Sequence, residues 1–176
     1  MLCLAVIGFL ALSYALYQAR FYNQRRKLLR RSWDDLLASI QSVNNHGIST
    51  VALAYLNPTS EQLRMQPFEM WALVGRQEGL DALNANAQAM LDLALYAAQW
   101  DHVEGRIVGE MMRRDAVRLR QATRQIRMAV LNEKAEKFAA FELQEAAAAY
   151  HLMRHRLHGL YKASNATLYP AIAGAI

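Results

Sequence analysis

Residues 102–130 read HVEGRIVGEMMRRDAVRLRQATRQIRMAV, and their spacing decides the fold class. Val108, Met111, Met112, Ala116, Leu119, Ala122 and Ile126 recur every three or four residues, the repeat of one helical face. At about 100° per residue, Arg106, Arg113, Arg120, Arg124 and Arg127 gather in a sector of about 60° opposite that face. The stretch therefore predicts a long amphipathic helix with an apolar inner side and a basic outer ridge.

Working outward, two more long helices are expected. Residues 80–100 set Leu80, Leu83, Ala87, Met90, Leu91, Ala94 and Ala98 on one face, with Asn84, Gln88, Asp92 and Gln99 on the other. Residues 133–163 follow a break at Asn132, and Asp101 is expected to cap residues 102–130. Shorter helices are expected over 48–56 and 68–74, the second opened by Pro67. Between them and the N-terminus, Leu29, Trp33, Leu36, Leu37, Ile40 and Val43 read as one helix over 25–43, stopped by Asn44 to Gly47. No stretch alternates with period two. The fold class is all-α, and short connections between long helices make them antiparallel neighbours in a bundle.

The N-terminus follows a different pattern. Residues 1–19 carry no charged side chain, and Arg20, Arg25, Arg26, Lys27, Arg30 and Arg31 follow with no acid among them. A helix of that uncharged length reaches about 28 Å, close to the hydrocarbon thickness of a bilayer. The charge comes after the apolar run, and Tyr17-Gln18-Ala19-Arg20 is a poor cleavage site, so an uncleaved single transmembrane helix is expected over 1–19. The positive-inside rule holds residues 20–31 in the cytoplasm and the short N-terminus outside the cell membrane. The six cations are the candidate contacts to anionic headgroups, at about 1 kcal/mol each.

This partition explains the overall charge. The chain has a net charge of +5 and a pI near 9.6. Residues 1–31 hold 6 basic and no acidic groups; the other 145 hold 14 basic and 15 acidic. A nucleic-acid partner is disfavoured, because the ridge has few interleaved aromatics and no recognition-helix motif. Residues 32–105 hold 2 basic and 9 acidic groups, so the arginines have acids within their own chain to meet. A protein partner or a second copy of the chain is the other candidate for the ridge. The single cysteine, Cys3, excludes an intramolecular disulfide and any cysteine-based metal site.

Two side-chain groups invite chemistry. His151, His155 and His158 fall on one face of the last long helix, and His151 and His155, four apart, are the candidate metal ligands. No Glu-x-x-His motif accompanies them, and Arg154 and Lys162 oppose a cation there. Asp115, Glu142, Glu145 and Arg156 fall on apolar faces, where charges need partners. Folding the last two helices about Asn132 would bring Glu145 near Arg118 and Arg120.

The expected organisation is an anchor over 1–19, a basic juxtamembrane segment over 20–31, a cytoplasmic helical domain over 32–165 and an apolar tail over 166–176. The expected function is a bitopic membrane protein with a helical interaction domain, a non-catalytic scaffold or assembly factor, with no cofactor and the lipid bilayer as one partner. The alternative is a metal- or ligand-binding helical enzyme using His151, His155 and the inward carboxylates.

Overall fold

The computed structural model describes residues 31–57, 65–100, 102–131 and 140–176. Their regular structure is helical throughout: α1 Trp33–Ala38, α2 Asn45–Leu56, α3 Pro67–Leu73, α4 Arg76–Ala97, α5 His102–Leu131, α6 Ala140–Ser164 and α7 Tyr169–Ala175. They form one packed bundle, with no strand among the described residues.

The centre is α6, which packs against α2, α3, α4, α5 and α7. Its sequence suits that place. Ala146, Ala147, Ala148 and Ala149 are all buried and let neighbouring backbones approach closely, while Tyr150, Met153, Leu157, Leu160 and Tyr161 fill the wider spaces. Helix α5 lies against both α4 and α6. Arg120 contacts Gln88 and Arg127 contacts Asp81, seven residues onward on α5 and seven back on α4, so those two helices are antiparallel. Asn86 meets Tyr150 and the Leu93 carbonyl meets Tyr161, so α4 and α6 run the same way.

The buried stripe of α5 is Gly105, Gly109, Met112, Ala116, Leu119, Thr123 and Ile126, spaced alternately four and three. It corrects the expected inner face in two ways. Met111 is 43% exposed. Gly105 packs against Ala98 at the end of α4, and Arg120 and Arg127 reach Gln88 and Asp81, so the arginine ridge flanks the α4–α5 seam and does not stand opposite the core. Gly105 is needed there: a Cβ on it would come within 2.6 Å of the Ala98 Cα.

The N-terminal half departs further from expectation. Of the helix expected over 25–43, the described part is helical only over Trp33–Ala38. Ser32 caps α1 through a capping box, its hydroxyl accepting from the Asp35 N–H while Asp35 accepts from the Ser32 N–H, and α1 ends at Ala38. Asn44 caps the helix that follows, with its side-chain oxygen accepting from the Gly47 N–H. At the α3–α4 corner, Gly75 takes φ +90°, and a Cβ on Gly79 would run into the Val74 carbonyl. That corner needs both glycines. The apolar tail folds as α7 and buries Ile172 and Ile176 against the bundle.

The expected anchor over 1–19, five of the six juxtamembrane cations, and the proposed cap Asp101 lie outside the described residues. Among the described residues no helix is long and apolar enough to cross a membrane.

Candidate functional site

Three polar assemblies interrupt the apolar bundle. The first is an aromatic and hydroxyl cluster where α1, α4 and α6 meet. Trp33 Nε1 donates to the Tyr161 hydroxyl at 3.0 Å, and that hydroxyl donates to the Leu93 carbonyl at 3.0 Å. Trp100 packs edge-on against both Tyr161 and Tyr96, with ring centres 5.9 and 5.5 Å apart. Burial pushes the Tyr161 phenol up to about 12, with the Trp33 hydrogen bond pulling the other way.

The second is a clasp made by Asn86, which is fully buried. Its oxygen accepts from the Gln41 N–H at 2.7 Å, and its amide donates to the Gln41 carbonyl at 2.8 Å and to the Tyr150 hydroxyl at 3.1 Å. One side chain thus satisfies a backbone segment that belongs to no helix. Sequence reasoning missed Asn86. It falls one position from Ala87, on the inner side of α4, and an asparagine flanked by apolar positions was the available signal.

The third is the Asp115–Arg156 ion pair between α5 and α6, with Asp115 only 3% exposed. Burial holds the Arg156 guanidinium below its usual pKa. Helix α5 runs antiparallel to α4 and α4 parallel to α6, so α5 and α6 are antiparallel and the pair sets their register. Glu145 is therefore level with Ile126, and the contact expected with Arg118 and Arg120 does not form. Glu142 Oε2 is buried without a hydrogen-bond partner among the described residues.

The histidines sit on an outer edge of α6. The rings of His151 and His155 are 4.4 Å apart, edge to face, and His151 Nδ1 is hydrogen-bonded to Ser49 Oγ at 3.2 Å. His158 turns the other way, against Tyr169. Burial lowers the pKa of His151 and His158, and Arg154 and His155 add to the effect. The third ligand that a metal site would need is absent among the described residues.

The arginine ridge divides in two. Arg127 pairs with Asp81. Arg120 donates to Gln88 at 2.8 Å, and Gln88 donates onward to Asp92 at 3.0 Å. Burial raises the Asp92 pKa, with the Gln88 hydrogen bond opposing. Arg113 instead pairs within its own helix, with Glu110 at 2.6 Å. Arg106 and Arg124 make no ion pair among the described residues. Comparison with known proteins returns no match: no family model, no curated protein and no solved structure aligns with this chain.

Proposed function

We propose that the chain is a single-pass membrane protein, anchored by residues 1–19 with the N-terminus outside, whose cytoplasmic helical bundle acts as a non-catalytic scaffold or assembly factor. The observation that carries this reading is the charge step: 19 uncharged residues followed at once by six cations and no acid. The bundle is compatible with it. Arg31 leads directly into the Ser32 capping box, so a juxtamembrane segment ending there would be joined to the domain by a defined helix start. The buried polar groups have structural uses: Asn86 holds the 39–44 connection, Tyr161 joins three elements, and Asp115–Arg156 fixes the α5–α6 register.

Topology is the direct test. A reporter active only in the cytoplasm, fused after Ile176, should be active in wild type. Replacing the six cations of residues 20–31 with glutamine should give mixed orientation. Activity of a reporter that works only outside the cytoplasm would reject the topology.

The second reading, a metal-binding enzyme at His151 and His155, has the 4.4 Å ring approach in its favour. Stoichiometric metal in purified protein, lost on His151→Ala, would support it. A metal-free protein that still assembles in the membrane would leave the scaffold reading standing.

A further inference from the structure

The outer face of α5, turned away from α4 and α6, carries an unusual mixture. Ile107 is 55% exposed, Val117 56%, Met128 55% and Leu131 76%. These positions span about 36 Å of helix. Single exposed apolar residues are ordinary, but a row of them along one helix is a docking feature. Three arginines, Arg114, Arg118 and Arg124, accompany the row against one acid, Glu110. Arg118 and Arg124 make no ion pair among the described residues, and Arg114 has only a 3.8 Å contact with Glu110.

Its position in the fold matters as much as its composition. Trp33 stands two residues after the juxtamembrane cations, and it packs on Tyr161. Trp100 packs on the same ring and directly precedes α5. The chain therefore enters the bundle beside the N-terminal end of α5.

We infer that the outer face of α5 lies on the anionic surface of the membrane that holds the anchor, with Ile107, Val117 and Met128 entering the headgroup boundary and Arg114, Arg118 and Arg124 contacting lipid phosphates. This inference rests on the anchor reading. Long arginine side chains suit the geometry, because their stems lie along apolar surface while the guanidinium reaches the phosphate. A helix with apolar and cationic residues on one face lies in the interface plane. Charge complementarity selects this occupant over an apolar protein groove, which would leave Arg118 and Arg124 without counter-ions.

The test uses full-length protein carrying Cys3→Ser, with single cysteines at Ile107, Val117 or, as the control on α4, Glu78. Each is labelled with an environment-sensitive fluorophore and reconstituted into vesicles with or without phosphatidylglycerol. Labels at 107 and 117 should shift to the blue and be quenched by spin-labelled headgroups in anionic vesicles, while the label at 78 stays in water. Each of Arg114→Gln, Arg118→Gln and Arg124→Gln should lower the docked-to-undocked ratio about fivefold. Circular dichroism should show unchanged folding, since all three side chains are exposed. Equal spectra at all three sites in vesicles that still float with the protein would overturn the inference and spare the anchor. Shielding of residue 117 already in detergent, or disulfide-linked pairs through it, would assign the face to a second copy and overturn the inference. Protein stripped from the vesicles by alkaline carbonate would reject the anchor and, with it, this docking.

Discussion

Helix α5 makes an arginine–carboxylate contact on each of two sides, and the two are chemically alike but differently placed. Toward α6, Asp115 meets Arg156 with side chains 5% and 24% exposed. Toward α4, Arg127 meets Asp81 with side chains 48% and 54% exposed. The inner carboxylate has given up its water, so Asp115 alone would be an uncompensated buried charge. The outer pair exchanges one set of water contacts for another and gains about 0–1 kcal/mol. The inner pair therefore specifies register, while the outer ones decorate a seam held by Leu83, Met90, Met112 and Leu119.

The widest gap between the two sides should come from neighbouring residues. Leu119→Asp places a carboxylate at a fully buried position and should cost more than about 5 kcal/mol, enough to unfold a domain of ordinary stability. Arg120→Asp, one residue on and exposed, should leave the fold intact. Thermal melts followed by circular dichroism separate them, and similar melting temperatures would invert the assigned phase of α5.

Breaking the inner pair comes next. Arg156→Met should cost about 3–5 kcal/mol by leaving Asp115 alone. Adding Asp115→Leu should recover most of that loss. A double variant no better than the single would mean that packing, not stranded charge, sets the cost.

Tyr161 sharpens the comparison through pH. Its folded pKa of about 12 lies above the ordinary phenol value of 10.0, so the folded state favours the neutral ring. The associated stability is complete below pH 10 and is lost as pH rises toward 12, by roughly 2 kcal/mol. Urea midpoints across this range should fall in wild type and fall less in Tyr161→Phe. Tyr150, also raised by burial, keeps part of the slope.

The smallest effect should come from the ridge. Arg113→Gln, Arg120→Gln and Arg127→Gln together should cost about 1 kcal/mol or less, and raising salt on wild type should reproduce part of the loss. A loss above about 3 kcal/mol would show that the seam depends on its charges.

The long helices were legible because their periodicity is a direct record of burial: Met112, Ala116, Leu119, Ala122 and Ile126 are all buried as the spacing requires. Apolarity alone misjudged the direction of α5. Gly105 carries no apolar side chain to count, yet it permits the close approach of Ala98 at the end of α4. The start of α1 was legible too, in Ser32-Trp33-Asp34-Asp35, but an apolar repeat running through it suggested a longer helix. Partner choice among charges was not legible. The offset between Glu145 and Arg118 depends on how many residues the α5–α6 turn consumes, which no local pattern specifies. The rings of His151 and His155 are neighbours at their four-residue spacing, while the Ser49 contact comes from a helix about a hundred residues earlier.

The hydrogen bonds through the Tyr161 hydroxyl have a mechanical consequence. Tension entering the bundle at Arg31 reaches Trp33 within two residues. From there it passes through one hydroxyl to α6 and, by the Leu93 carbonyl, to α4. The six-residue α1 is thus not a loose end to be peeled away. Downstream, the Asn86 clasp on Gln41 ties the next stretch of chain to α4 as well. A pull on the N-terminal segment is shared between two core helices at two separate points, so the bundle resists as a unit before its first helix yields.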